Sequence, residues 1–302
     1  MILYLGIEEL AMQKLELLKE KPWQKRNCVV FLSDFGSVDA AVSAMYAVAD
    51  GVSPSLRLYD LTHEIPQFDI WAASYRLMQA MSYWAVGTVF VCVVDPGVGS
   101  ERKSIVALTK SGHLIVTPDN GTLTHIAEKV GILEVREISE TTNRLKGSQK
   151  SYTFHGRDVY AYTGARLASG LEDFENVGPL FNKDFIKLKI ERPRVEGKSI
   201  IGAIDILDTR YGSLWTNIPE SFLEELKIEY GQYLNVTISI NNRITYGYKV
   251  KYCQSFSQVD SGEPVLYVNS LLTIGLAVNK GNFSKKYRIG TGEGWKISLN
   301  LI

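Results

Sequence analysis

The chain has 302 residues, enough for two domains, and its hydrophobic and charged fractions of 45% and 22% are those of ordinary globular proteins. Because 33 basic residues balance 33 acidic ones, no net charge attracts nucleic acid or an anionic membrane, and a small-molecule partner is the better expectation. No apolar stretch is long enough to span a bilayer, and the N-terminus mixes charges with apolar residues unlike a signal peptide, so we expect a cytoplasmic protein.

The cysteines and histidines give no support for a disulfide framework or a metal site. Cys28, Cys92 and Cys253 are odd in number and far apart, which is typical of reduced, buried thiols. The four histidines do not pair with cysteines at the spacing of zinc ligands.

The N-terminal part of the chain predicts an extension followed by an α/β domain. Residues 1–26 have a roughly helical apolar spacing and are expected to form a surface helix or extension. Strands are then predicted over 27–35, 56–63 and the run ending at Asp95, alternating with a helix capped by Ser37 and a helix from Asp69 to about Met81. This alternation predicts a largely parallel sheet within an α/β domain of residues 27–190.

Two further elements follow in this domain. The segment SIVALTKSGHLIVTPDNGT predicts a hairpin that turns at Ser111-Gly112 and closes at Asp119-Asn120-Gly121. The segment 154–170 predicts a loop that enters a helix ending at Gly170.

The pattern of apolar and polar residues changes from about residue 195. Short alternating segments separated by Gly, Asn and Ser turns predict a smaller, all-β C-terminal domain, an antiparallel barrel or sandwich of residues 197–302, with 191–197 as the linker. The predicted strands are KSIIGAIDILD, YLNVTISI, RITYGYKVKYCQSF, PVLYVNS, LTIGLAVN and KYRIGTGEGWKISL.

Acidic residues follow the first and third predicted strands, at the edge of a parallel sheet where ligands bind. Asp95 ends a buried strand, and the turn through Pro96 and Gly97 restricts where its side chain points. It either serves a functional site or caps its own turn, and strand position alone leaves both readings open. Asp34 either accepts hydrogen bonds from vicinal hydroxyls of a ligand or caps the following helix.

Other residues gain interest only in combination. Arg102 is either a surface cation or, if the turn folds back, the partner that holds Asp95 ionised. His155 is either a titratable catalytic group at a loop-to-helix junction or a satisfied structural histidine. The aromatic residues that either stack on a planar base or merely pack are Phe68, Phe154, Tyr211 and Trp215.

Several enzyme classes are disfavoured by missing motifs. The chain has no GxxxxGK[ST] and no GxGxxG opening a helix, which argues against nucleoside triphosphates and pyrophosphate cofactors. It also has no GxSxG, which argues against a serine hydrolase.

With these motifs in view, residues 28–302 resemble the S-adenosyl-L-methionine (SAM) hydroxide adenosyltransferases, the adenosine-forming SAM hydrolases related to fluorinase and chlorinase. The resemblance is carried by FLSDFG, DLTHEIPQFD, GTVFVCVVDPGVGSER, PDNGTL, TFHGRD, GSLWTNI, VNS and GLAVNKGN, in that order along the chain.

The resemblance implies hydrolysis of SAM to adenosine and methionine by a homotrimer, with each site formed by the N-terminal domain of one subunit and the β domain of its neighbour. The resemblance implies no cofactor and no metal. It implies a catalytic trio of Asp95, Arg102 and His155. The implied substrate-binding positions are Asp34 for the ribose, Phe68 as an aromatic wall beside the sugar, Asp208 and Ser270 for the amino and carboxylate groups of the methionine part, and the backbone near Asn282 and Phe283 facing the adenine. Phe154 and Ser213 are further implied substrate-binding positions.

Two positions depart from the family pattern, and two other functions remain as alternatives. Ser213 stands where relatives commonly have Asn, and Leu271 where the fluorinase has Arg. A halogenase is disfavoured because this chain keeps Asp95 and His155, which halogenases lack. A SAM- or adenosine-binding protein without turnover is the second alternative. In the expected mechanism Arg102 and a protonated His155 favour hydroxide, while Asp95 accepts its proton or orients the pair.

Overall fold

The computed structural model describes residues 25–181 and 184–302 of the chain. The helix or extension expected in residues 1–26 therefore lies outside the described residues, apart from the last two. The chain divides into two compact units, of which the first ends at Leu188 and the second comprises Lys189–Ile302.

A six-stranded sheet forms the first unit, with strand order β2-β1-β3-β5-β4-β6. The four strands β2, β1, β3 and β5 run parallel, whereas β4 lies antiparallel to both of its neighbours. The prediction of a largely parallel sheet is confirmed. The strands are β1 Cys28–Ser33, β2 Arg57–Thr62, β3 Val89–Val93, β4 Ser104–Thr109, β5 Leu114–Pro118 and β6 Ile132–Glu137.

Helices accompany this sheet in the α/β alternation. They are α1 Ala41–Val52, α2 Ile70–Met81, α3 Thr124–Lys129 and α4 Tyr162–Ser169, the last preceded by a π-helical turn over Gly156–Ala161. Alternate residues of the strands, such as Phe31 and Val91, form one core with Met45 of α1 and Ala165 of α4. Gly164 is required for this packing, because a Cβ there would lie 2.4 Å from a methyl group of Val91.

The two predicted helices of the N-terminal half begin differently from what was expected. The helix expected from Asp69 begins at Ile70, and Asp69 is its cap, its carboxylate accepting a hydrogen bond from the Ala72 amide at 2.8 Å. The predicted cap at Ser37 is wrong, because α1 begins only at Ala41. The Ser37 hydroxyl donates instead to Glu64, and Asp39 accepts from the Ala41 amide. The short polar residues before the helix thus form a bend rather than its first turn.

The second unit is a β-barrel. Its strands β14, β10, β11, β12, β13, β9 and β8 pair in that order, and β14 also pairs with β8, which closes seven strands into a ring. The strands are β7 Arg194–Glu196, β8 Ser199–Leu207, β9 Leu214–Pro219, β10 Tyr233–Ile240, β11 Arg243–Tyr252, β12 Pro264–Val268, β13 Thr273–Val278 and β14 Trp295–Leu301, with helices α5 Ser221–Glu225 and α6 Phe283–Tyr287.

The predicted barrel is confirmed, with differences in detail. Buried and half-buried residues alternate along β8, whose Ile200 and Ile204 enter the barrel core. The pairing of β11 with β12 is parallel rather than antiparallel. The strand expected from Lys286 begins only at Trp295, because Phe283–Tyr287 form α6. Part of the expected linker, Arg194–Glu196, is the strand β7, which pairs with β8.

No helix within residues 25–181 and 184–302 combines the length and the apolar character needed to cross a membrane.

Candidate active site

The turn after β3 directs Asp95 away from its own backbone. Val89–Val93 are buried, and the chain then turns with hydrogen bonds from the Val98 amide to the Asp95 carbonyl and from the Ser100 amide to the Gly97 carbonyl. These backbone bonds close the turn without the Asp95 carboxylate. The side-chain amide of Asn120 donates to the Val94 carbonyl at 2.8 Å, so the predicted Asp-Asn-Gly turn anchors the end of β3.

Arg102 and Asp95 form a two-point ion pair. Arg102 Nε donates to Asp95 Oδ1 at 2.9 Å, and Arg102 Nη2 donates to Asp95 Oδ2. The two side chains are only 10% and 5% exposed, so water screens the pair weakly. Burial is the largest single influence and opposes the charge of Arg102. The hydrogen bonds to Asp95, together with the electrostatic effects of Tyr160, Asp95 and Glu140, outweigh it and raise the pKa of the guanidinium. The alternative of a free surface cation is therefore excluded.

Two residues that sequence reasoning missed support Arg102. Its Nη1 donates to the Ser104 hydroxyl at 2.9 Å, and that hydroxyl lies 3.1 Å from the hydroxyl of Tyr160. The guanidinium lies 5.5 Å from the centre of the Tyr160 ring. Burial raises the pKa of Tyr160, so its phenol remains neutral. Tyr160 lies on the π-helical turn that follows His155, which brings this support and the histidine together.

His155 lies between two guanidinium groups. Its Nδ1 is 3.0 Å from Arg102 Nη2, and its Nε2 is 2.9 Å from Arg144 Nη2. Burial first, and then the charge of Arg102, lower the pKa of His155 below its ordinary value of 6.5. The protonated His155 of the expected mechanism is therefore disfavoured, because an imidazolium would direct both of its N–H groups at cations.

Asp34 and Phe68 come together from β1 and the loop before α2. The Phe68 amide donates to Asp34 Oδ2 at 2.9 Å, and Phe68 adopts a φ of 65°, which a bulky residue rarely adopts without support. The alternative role of Asp34 as a helix cap is not observed. The Phe68 side chain is 66% exposed, which leaves its ring available for a ligand.

A cavity of about 330 Å³ joins these residues in the first unit. Its volume is within the range of small-molecule sites, roughly 300–1000 Å³. It is lined by Asp34, Phe68, Asp95, Phe154 and His155, together with neighbouring residues. The first unit thus brings the carboxylates of Asp34 and Asp95, an imidazole and exposed aromatic surface to one cavity.

The barrel has a separate, larger cavity of about 880 Å³. Four predicted binding residues line it: Asp208, Ser213, Ser270 and Asn282. Phe283 does not line it, because its side chain is buried in the barrel core. The implied contact at Phe283 involves its backbone and stays a prediction.

The loop after β8 fixes the shape of this second cavity. The Asp208 amide donates to the Ser213 carbonyl at 2.8 Å, and the Gly212 amide donates back to the Asp208 carbonyl. Gly212 has a φ of 70°, and a Cβ there would lie 2.1 Å from the side chain of Asn282. That asparagine caps α6 by accepting from the Lys285 amide at 2.7 Å. A side chain at position 212 would displace this cap.

Aromatic residues form part of the wall of the barrel cavity. Trp215 donates its indole N–H to the Tyr267 hydroxyl at 3.1 Å, and the Phe256 ring lies 4.7 Å from the Tyr267 ring. Trp215 lines the cavity, as does Tyr211, which is 67% exposed. A planar ligand can therefore stack in this cavity.

Arg144 is a third neighbour of the trio that the sequence did not reveal. It lies in the polar segment TTNRLKGSQK, where nothing distinguishes it from a surface cation, yet its side chain is only 4% exposed.

No group of three or more His, Cys, Asp or Glu residues in the described part of the chain is arranged to hold a metal ion.

The fold and the site define a class of protein: an α/β unit with a buried Asp-Arg-His trio at the end of its third strand, followed by a seven-stranded barrel with its own cavity. A family model of the SAM hydroxide adenosyltransferase N-terminal domain matches residues 29–178, and that of the C-terminal domain matches residues 202–296. The chain belongs to the SAM hydroxide adenosyltransferase family.

Individual proteins agree with this assignment. The chain is 35% identical to an (R)-S-adenosyl-L-methionine hydrolase from Methanocaldococcus jannaschii, over 76% of this chain and 80% of that protein. It is 24% identical to a fluorinase from an Actinoplanes species, over 87% of this chain and 95% of that protein. The crystal structure of an uncharacterized conserved protein from Thermotoga maritima is similar with a TM-score of 0.81 and 34% identity, covering 90% of this chain and 99% of that one.

Proposed function

We propose that this protein hydrolyses SAM to adenosine and L-methionine by attack of water at C5′ of the ribose. The observation that carries the proposal is the buried pairing of Asp95 with Arg102 beside His155, at the cavity that also holds Asp34 and Phe68. A protein that only binds SAM needs the cavity but has no need of this trio. The 35% identity to a protein named for SAM hydrolysis supports the same reaction.

The substrate supplies much of the driving force for this reaction. The sulfonium makes methionine a neutral thioether leaving group, and its C5′–S bond breaks with the electron pair going to sulfur. The water oxygen forms the new C5′–O bond and loses a proton, so the products are adenosine and methionine. Exclusion of bulk water from the cavity would strengthen the attraction between the incipient hydroxide and the cation.

Asp95 is the group of the trio that we assign to accept this proton. Both nitrogens of His155 face guanidinium groups, whereas each oxygen of the Asp95 carboxylate has a lone pair beyond the one that Arg102 uses. Arg102 holds the carboxylate in place and supplies positive charge beside the developing hydroxide. A neutral His155 holds the Arg102 guanidinium in place by accepting a hydrogen bond from its Nη2.

The binding roles complete the proposal. Asp34 binds the ribose hydroxyls, with Phe68 and Phe154 beside the sugar. In the barrel, Asp208 binds the ammonium group of the methionine part, Ser213 and Ser270 bind around its carboxylate, and the backbone at Asn282 and Phe283 faces the adenine. Contacts at both ends of the substrate would hold C5′ in line with the attacking water.

We further propose a homotrimer in the cytoplasm. The resemblance supports a site completed by the α/β unit of one subunit and the barrel of its neighbour, and each unit has a cavity lined by predicted binding residues. All three cysteines are buried and unpaired, which favours a reducing compartment. A trimer would have three times the 33.8 kDa mass of the chain in light scattering.

Product analysis tests the function. Purified protein is incubated with each sulfonium epimer of SAM, with and without chloride or fluoride, because the relative from Methanocaldococcus jannaschii is named for the R form. Chromatography that detects adenosine and methionine in equal amounts, independent of halide, supports hydrolysis. A 5′-halo-adenosine would establish a halogenase instead. Retention of SAM or adenosine by the protein without turnover would establish a binding protein.

A further inference from the structure

Arg144 contacts the trio through His155. Its Nη2 lies 2.9 Å from Nε2 of His155, and Arg102 lies on the opposite edge of the same ring. Arg144 is not among the described residues that line the cavity. It therefore acts on the reaction only through His155.

The hydrogen-bonding capacity of the imidazole makes this arrangement unusual. A guanidinium only donates, whereas a neutral imidazole has a single acceptor nitrogen and a protonated imidazole has none. One of the two arginines can thus donate a hydrogen bond to His155, while the other faces the ring N–H. Adding a proton would remove the remaining acceptor and place a third cation between the two guanidinium groups.

Arg144 is held firmly enough to exert this effect. Its Nε and Nη2 both lie 2.9 Å from Glu140 Oε2, and its Nη1 donates to the Ser151 carbonyl at 3.3 Å. Its guanidinium also lies 4.8 Å from the centre of the Tyr152 ring, and the centre of that ring lies 6.2 Å from the centre of the His155 ring. These contacts leave the guanidinium little freedom to withdraw from the imidazole when the ring titrates.

We propose that Arg144 is a positioning residue that keeps His155 neutral, so that His155 accepts a hydrogen bond instead of binding a proton at the pH at which the enzyme works. The proposal rests on the proposed SAM hydrolysis for its kinetic consequence only. The charged groups that act on His155 are Arg102 and Arg144, which oppose its protonation, and Glu140 and Asp95, which favour it.

Two substitutions in the same ion pair should act in opposite directions. Arg144→Gln removes a cation and leaves Glu140 unpaired, so the pKa of His155 rises. The acid limb of the pH profile therefore moves to higher pH. Glu140→Gln leaves Arg144 unpaired, so the pKa of His155 falls and the acid limb moves to lower pH. Both substitutions break the same salt bridge, and a purely structural salt bridge would therefore predict the same effect from each.

The experiment combines a pH profile with a titration of the ring. We expect kcat/KM of Arg144→Gln, relative to its value at pH 8, to fall about tenfold more than that of the wild type at pH 5.5. Arg144→Lys should recover most of this loss because it restores the charge. Arg166→Gln breaks a comparable ion pair, between Arg166 of α4 and Glu172 beyond its end, and should keep the wild-type profile.

Nitrogen-15 NMR of the histidine side chains reads the protonation of His155 directly, with His155→Gln assigning its signals. An upward shift of the His155 titration in Arg144→Gln and a downward shift in Glu140→Gln support the proposal. Unchanged titration in both variants, or shifts in the same direction, would overturn it. The NMR result does not depend on turnover, so failure of the proposed hydrolysis would be recognised separately by the absence of adenosine.

Discussion

The Asp34 carboxylate and the Phe68 backbone are joined by a hydrogen bond of 2.9 Å, and both residues line the cavity of the first unit. One carboxylate oxygen thereby stabilises the left-handed conformation of Phe68, and the other remains available for a ligand. The proposed ribose-binding residue therefore also sets the position of the aromatic ring beside the sugar.

Two substitutions at Asp34 separate these roles. Asp34→Asn keeps one oxygen to accept from the Phe68 amide but loses the charged contact to the ribose, so KM should rise roughly tenfold to a hundredfold, corresponding to 1.5–3 kcal/mol for a charged hydrogen bond. Asp34→Ala also releases Phe68 and should lower kcat as well. Steady-state kinetics measure both constants, and unchanged KM in both variants would contradict the ribose assignment.

Loss of the proposed base should affect turnover more than binding. Asp95→Asn keeps the shape of the side chain but cannot accept the proton as a carboxylate does, and we expect kcat to fall by about 10²–10⁴. His155→Ala should lose most turnover as well. Calorimetry should find SAM binding in both variants, and Glu101→Gln, an exposed carboxylate of the same turn, should be fully active. Full activity of Asp95→Asn and His155→Ala would exclude the catalytic assignment.

Co-expression of two inactive variants tests the shared site of the proposed trimer. Asp95→Asn impairs the α/β unit and Asp208→Asn impairs the barrel. If each site takes one unit from each of two neighbouring subunits, random mixing leaves about a quarter of the sites with both units intact. Activity of the mixed protein far above that of either variant is therefore expected. No recovery in a mixed oligomer would mean that each site belongs to one chain.

The sequence predicted those parts of the site that depend on local order along the chain. Asp34 and Asp95 could be placed because each follows an apolar, β-branched run that becomes a buried strand. The bond between Asp34 and Phe68 joins residues 34 positions apart and has no local signal. Arg144 lies in a loop without periodicity, so its burial against His155 depends on tertiary packing alone.

The wrong predictions of secondary structure also have physical causes that lie outside the local sequence pattern. Ser37 is a good helix cap by residue type, but its hydroxyl donates to Glu64, which comes from a different strand end. The segment from Lys286 looked like a strand, yet Asn282 caps a short helix just before it and Arg288 ends that helix at a φ of 56°. A long-range hydrogen bond at Ser37 and a helix cap at Asn282 therefore determine where the neighbouring helix and strand begin.

His125 should make the stability of the protein depend on pH. Its ring lies 4.5 Å from the Trp71 ring and 2.9 Å from the Ser74 hydroxyl, and burial, with a smaller effect of Lys129, lowers its pKa to about 4. The unfolded chain binds a proton on His125 near the ordinary pKa of 6.5, whereas the folded chain does so only near pH 4. The free energy of unfolding therefore has its full value above pH 6.5 and decreases as the pH falls towards 4.

The loss is up to roughly 3 kcal/mol, at about 1.4 kcal/mol for each pH unit between the two pKa values. Urea unfolding at pH 7 and pH 4.5 measures it in the wild type and in His125→Gln. The variant is expected to lose less free energy of unfolding between the two pH values, although its stability at pH 7 is lower. The same pH dependence in both proteins would show that His125 does not contribute.

Isotope labelling tests the attack of water at C5′ most directly. The protein is incubated with SAM in water enriched in oxygen-18, and adenosine and methionine are analysed by mass spectrometry. The proposed reaction forms a C5′–O bond from solvent, so one heavy oxygen should appear in the adenosine and none in the methionine. Adenosine without the label, or label found in the methionine, would contradict attack at C5′ by water.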